Sequence, residues 1–135
     1  MTIYLALDVG DRRIGLAAGA DDARLARPLG ILTRSSKRAD FEALARQAAG
    51  CGAEHLLVGL PLNMDGSEGL QAKRVRKFAE QLRRVLGLPL TLWDERLSSF
   101  EADQILAETG RRRRHNDDIA AAAILQNFFG RLVNW

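Results

Sequence analysis

Five apolar residues in succession, Ile3-Tyr4-Leu5-Ala6-Leu7, run directly into a carboxylate, Asp8. A strand with one wet face alternates apolar and polar side chains, whereas an unbroken apolar run fits a strand covered on both faces. The chain therefore opens with a central strand that needs a layer on either side. Asp8 stands at the end of it, where a carboxylate is costly to ionise unless a cation, a set of donors or water meets it. Gly10 and Gly15 permit a reversal into a second strand-like run, Ile14 to Ala18. Asp and Gly are also what turns use, so Asp8 alone reads equally well as a turn-former.

Downstream, Arg24 to Thr33 reads as a third strand, with Pro28 placing it at a sheet edge or a bulge. Three short strands in succession imply an antiparallel meander. Phe41, Leu44, Ala45 and Ala48 then recur at helical spacing, and Gly50 and Gly52 are expected to stop that helix. His55 to Gly59 is a short apolar strand, followed by a loop to Gly66. Ser67 is the expected N-cap of a long helix to Leu86, apolar at Val75, Phe78, Ala79 and Leu82 and basic on its solvated side. Leu88 to Trp93 forms the next strand and delivers Asp94-Glu95-Arg96. A helix from Leu97 to Glu108 ends at Gly110, and Arg111 to Arg114 lead into a final helix from Asp117 to Leu132. Its Ala120 to Ala123 would let it lie close against a sheet. The order predicts an α/β fold. Its mixed five-stranded sheet joins a three-strand antiparallel meander to two parallel strands, with helices on both faces. A length of 135 residues suits one domain, 1–135.

Composition narrows the function. No window approaches the ~18 apolar residues of a membrane span, and the N-terminus lacks the plan of a secretory signal, so a cytoplasmic protein without membrane contact is expected. A single Cys51, with neither a Cys-x-x-Cys pair nor clustered His, offers no disulfide framework and no zinc site. The net charge of +3 permits a polyanionic partner. Arg outnumbers Lys 17 to 3, and the planar guanidinium suits phosphate, although a GC-rich genome would also enrich Arg, Ala and Leu. The segment Gly59 to Ser67 has six residues between its glycines and no Lys before Ser67, so it is not a P-loop. Pro61, Asn63 and Gly66 are better suited to shaping the rim of a cleft.

Acids recur at strategic ends: Asp8 after the first strand, Asp94-Glu95 after the fifth, Asp117-Asp118 opening the last helix. Right-handed crossovers make strands one, four and five parallel, so the ends of the first and fifth share one sheet edge. Acids distant in sequence would meet there and repel unless a divalent cation neutralised them. Oxygen ligands without His or Cys point to Mg²⁺ or Mn²⁺. Two such ions about 3.5–4 Å apart activate water and stabilise the leaving oxygen of a phosphodiester. Taken singly, Asp117 and Asp118 also suit the helix dipole, and Asp94 and Glu95 also suit a loop. For substrate grip the candidates are Arg12, Arg13, Arg96, Arg111, Arg112, Arg113 and Arg114, all within a few residues of an acid. Few aromatics are present, which favours backbone and shape recognition over base stacking.

Four segments together resemble the YqgF/RuvX family of Holliday junction resolvases or pre-16S ribosomal RNA nucleases. They are Leu7-Asp-Val-Gly-Asp-Arg-Arg-Ile-Gly-Leu-Ala17, Val58 to Gly66, Trp93-Asp-Glu-Arg-Leu-Ser-Ser99 and Asp117-Asp-Ile-Ala-Ala-Ala-Ala-Ile-Leu125. The resemblance covers nearly the whole chain in order, and departs from the family where Asn116 replaces an apolar residue before the helix acid. It implies a ribonuclease H-like fold with a divalent-metal site of Asp8, Glu95 and Asp117. Glu95 is preferred to Asp94 by motif position, and Asp117 to Asp118 by its distance from Ala120-Ala121 and Ile124-Leu125. It also implies a metal-dependent nuclease acting on RNA and/or branched DNA, and the sequence leaves monomer and homodimer equally open. Two other classes compete. A nucleic-acid-binding or ribosome-assembly factor could keep the fold without cleaving. Actin-like kinases share the Asp-x-Gly opening but need two such domains.

Overall fold

The computed structural model describes residues 1–110 and 116–132. Its strands are β1 (Ile3–Val9), β2 (Arg13–Ala20), β3 (Arg27–Thr33), β4 (His55–Leu60) and β5 (Leu90–Asp94), and its helices α1 (Lys37–Cys51), α2 (Leu70–Leu86), α3 (Ser99–Thr109) and α4 (Asp117–Leu132). The sheet order is β3-β2-β1-β4-β5, antiparallel across β1–β2 and β2–β3, parallel across β1–β4 and β4–β5. The expected mixed five-stranded sheet is therefore present, with the all-apolar strand at its centre.

Alternation along β1 divides the core. Leu5, Leu7 and Val9 face α1 and α2, packing with Leu44, Val75, Phe78 and Leu82. Tyr4 and Ala6 face α4, packing with Ala121, Ala122, Leu125 and Phe129. Asp8 falls on the α4 face by the same period of two. Side chains on the α1/α2 side are large and branched, whereas those toward α4 are mostly Ala and Gly, so α4 approaches more closely.

Several boundaries differ from the sequence expectation. β3 begins at Arg27 because Arg24 turns with φ +54, a corner tied to α4 where Gln126 Nε2 donates to the Arg24 carbonyl at 2.7 Å. Pro28 satisfies both alternatives, since β3 is an edge strand and its register with β2 shifts between Leu16 and Ala17. Gly50 does not end α1, which runs on to Cys51 and closes at Gly52 (φ +70). Ser67 does not cap α2; the cap is Gly69, without a side-chain bond. The Ser67 hydroxyl donates to Asp65 at 2.6 Å instead and bonds Asn63, folding the β4–α2 loop on itself. A 3₁₀ turn, Glu95–Ser98, precedes α3 and replaces the start of the expected single helix. Among the described residues no helix is long and apolar enough to cross a membrane.

Candidate active site

Asp8 sits one residue before the end of β1, opposite Gly15 of β2. Gly15 is not part of the reversal, as the sequence suggested, but lies inside β2, and its missing side chain decides the site. A Cβ there would stand 1.8 Å from the Asp117 carbonyl oxygen and 2.6 Å from the Asp118 nitrogen. Only glycine lets the first turn of α4 rest on the sheet, and that contact sets Asp117 beside Asp8. Gly59 of β4 acts similarly on the other flank, since a Cβ there would meet Ile124 Cδ1 at 2.5 Å and the Glu95 carboxylate at 3.3 Å. Glu95, just past β5, thereby lies over the same strand ends.

The three acids differ in state. Burial pushes the Asp8 carboxyl up to about 8, assisted by the charge of Glu95, a hydrogen bond with it and the charge of Asp117. Glu95 is likewise raised, chiefly by burial. Two desolvated carboxyls in contact share one proton rather than ionise together. Asp117 is farther out, with Oδ2 accepting from Arg13 Nε at 2.8 Å. Among the described residues no three acid, His or Cys side chains form a ready-made metal cage. What the fold brings together is a contacting pair, Asp8–Glu95, with a third carboxylate near enough to act on Asp8.

The neighbouring acids point elsewhere. Asp94 accepts from the Arg96 amide at 3.0 Å and from its guanidinium Nη2 at 2.7 Å, which holds its carboxyl below the usual range. Asp118 is buried, and its Oδ1 accepts from the Ile119 amide at 3.0 Å. Arg96 is also engaged by the β4–α2 loop, donating from Nη1 to the Asn63 and Met64 carbonyls at 3.3 and 2.9 Å. It shapes the rim beside Gly66, as a strut between β5 and that loop. Arg12 is exposed at the β1–β2 turn. Arg111 to Arg114 lie outside the described residues.

Sequence reasoning missed Asn127. Its Oδ1 accepts from Trp93 Nε1 at 2.9 Å, and its Nδ2 donates to the Leu97 carbonyl and to Glu101 at 2.9 Å. It ties α4 to both sides of Glu95, and a polar residue amid the apolar positions of α4 was the available signal. Asn127→Ala strands these groups and should lower stability by roughly 1–3 kcal/mol, read as a fall in Tm.

A model of the family described as RuvX, Holliday junction resolvase, matches residues 2–131. The chain belongs to this family. A relative from Anaeromyxobacter sp. (strain Fw109-5), provisionally named a pre-16S rRNA nuclease, is 46% identical over 125 residues, covering 90% of this chain and 91% of its own. A Myxococcus xanthus relative with the same name is 42% identical over 128 residues, with 92% and 85% covered. Among solved structures, T. thermophilus RuvC in complex with a Holliday junction substrate superposes with a TM-score of 0.64 at 15% identity, over 98% of this chain and 97% of that one. The Fowlpox virus resolvase, in complex with Holliday junction DNA, gives 0.61 at 11% identity, over 98% and 100%. These likenesses establish the ribonuclease H-like fold of this RuvX-family chain.

Proposed function

We propose that this RuvX-family protein is a divalent-metal-dependent nuclease that hydrolyses phosphodiester bonds of structured nucleic acid, in pre-16S rRNA processing and/or Holliday junction resolution. The observation that carries this reading is the buried Asp8–Glu95 pair with Asp117 beside it. Buried at the end of a core strand beside Glu95 and Asp117, Asp8 holds its proton more tightly, and a cation or a proton relieves the crowded charge. Oxygen donors without His or Cys suit a hard cation, Mg²⁺ or Mn²⁺. Asp8, Glu95 and Asp117 would hold it, Asp117 by exchanging its Arg13 partner for the ion. Such an ion, when bound, supplies water activation and charge neutralisation at the phosphoryl oxygens.

The chain's own residues do the rest. With a cation bound, Asp8 and Glu95 would both be ionised and would serve as ligands, without forming a covalent intermediate. Arg13, freed from Asp117, would be available to a phosphate flanking the scissile bond. Arg12 and the Arg111 to Arg114 run would add backbone contacts that weaken with salt. Arg96 contributes by shaping the rim through Asp94. The family names and the fold support a nuclease acting on RNA or branched DNA, which we place in the cytoplasm as monomer or homodimer.

The test is cleavage of pre-16S rRNA segments and of four-way DNA junctions by purified protein. Activity should require Mg²⁺ or Mn²⁺, vanish in EDTA and return on adding the ion back. Cleavage that persists in EDTA overturns the metal reading. Tight binding of both substrates without turnover at any metal concentration would identify a non-catalytic binding factor instead.

A further inference from the structure

On the opposite face of the sheet from Asp8 lies a cleft of about 660 Å³, bounded by the β1–β2 turn, the β3–α1 connection and one face of α2. Its floor is apolar, with Val75 and Phe78. Its walls carry five basic residues, Arg12, Arg34, Lys37, Arg74 and Lys77, against two acids, Asp11 and Asp40. Asp40 is already occupied, by Arg34 at 3.4 Å and by the Ser35 amide at 2.9 Å. Arg34 is fixed at the base of the cleft by donating to the Gly10 carbonyl at 2.7 Å, its guanidinium 4.9 Å from the Phe78 ring.

The contrast along α2 is informative. Arg76, Arg83 and Arg84, which point away from the cleft, meet Glu68 or Glu80 at 2.6–3.4 Å. Arg74 and Lys77, which line it, form no ion pair among the described residues, and neither do Arg12 and Lys37. Unpaired like charges gathered round a concave surface repel one another, an arrangement that an anion relieves. Arg12 and Arg13 are adjacent in sequence, yet Arg12 lines this cleft while Arg13 touches Asp117 on the other face. The β1–β2 turn thus joins the two sites.

We infer that this cleft is a second phosphate-binding site, in which Arg12, Lys37, Arg74 and Lys77 hold the sugar–phosphate backbone of a nucleic-acid segment that crosses the β1–β2 turn from the acidic site. The inference rests on nucleic acid being the substrate, though not on how Asp8, Glu95 and Asp117 act. Phosphate is the recognised chemistry, and a free nucleotide is the other source of it.

The experiment compares R74Q/K77Q with R76Q/R84Q, which removes the same charge from the same helix outside the cleft. Binding of a fluorescein-labelled four-way DNA junction and of a labelled RNA duplex is titrated in EDTA at several salt concentrations, so that cleavage plays no part. The cleft variant should bind one or both probes at least tenfold more weakly and lower the slope of log K against log salt by about two. The control variant should change affinity by less than threefold. Equal losses in both variants would mean general electrostatic attraction and overturn the proposal, as would no loss in either. A titration with AMP, followed by amide shifts at the cleft, separates the two sources. AMP binding abolished by R74Q/K77Q with nucleic-acid affinity unchanged would assign the cleft to a free nucleotide and overturn the backbone reading. Wild-type cleavage with metal, measured in parallel, reports separately on the acidic site.

Discussion

Asp8→Asn should abolish cleavage while making the metal-free protein more stable at neutral and alkaline pH. The loss of activity should reach about 10³-fold or more, equivalent to about 4 kcal/mol of transition-state stabilisation, since the variant removes the charged donor at the centre of the acidic cluster. The gain in stability has the opposite sign for the same physical reason. In the folded protein without metal, burial and the charges of Glu95 and Asp117 raise Asp8 to about 8, far above an unfolded carboxyl. The native state then keeps a proton that the unfolded chain releases above about pH 4. The contribution of Asp8 is fully present below that pH, declines as pH rises, and is lost by the time pH passes about 8. Asn mimics the protonated acid and can still donate to Glu95, so the variant escapes that decline. In EDTA its Tm should match wild type near pH 4 and exceed it at pH 8, reflecting a stability difference on the order of a few kcal/mol at about 1.4 kcal/mol per pH unit. Mn²⁺ should raise the Tm of wild type and leave the variant almost unmoved. A variant no more stable than wild type at pH 8 would contradict the buried acid pair. Undiminished cleavage would remove Asp8 from the reaction.

Gly15→Ala should be the most damaging single methyl added to the chain. The new Cβ would fall 1.8 and 2.0 Å from the Asp117 carbonyl oxygen and carbon, and these are backbone atoms of a helix terminus that cannot rotate aside. α4 must therefore lift off β2 at its first turn, carrying Asp117 and Asp118 with it. Over-packing of this kind costs about 3 kcal/mol or more. A shift of about 1 Å at a ligand-bearing residue costs roughly 10²-fold in rate. Chemical denaturation and cleavage assays should both register it. Gly50→Ala is the matched comparison, because nothing lies within 4 Å of a Cβ there and the residue is in α1. That variant should gain about 0.5–1 kcal/mol from helix propensity, with activity unchanged. Equal stability in the two alanine variants would refute the close α4–sheet contact.

The sequence by itself determined the central strand, the order of elements and the start of α4. The unbroken run Ile3 to Leu7 has one stable setting, and the helical period from Asp117 to Leu132 is long enough to define its own ends. It also placed acids at the ends of β1 and β5, which topology alone sends to one edge, and at the head of α4. What it left open was direction. Whether Asp94 or Glu95 turns inward depends on Arg96, which clamps Asp94 and the loop carbonyls together, an arrangement that exists only once β5 and the β4–α2 loop are adjacent. The role of Gly15 was hidden for the same reason, since a glycine in a strand shows its purpose only through the helix resting on it. The basic residues of α2 read alike along the chain, and only the fold separates those facing Glu68 and Glu80 from those facing an open cleft. Periodicity is local and survives in sequence. The partner of a charge and the space beside a glycine are set by residues far away in the chain, so only the tertiary structure decided them.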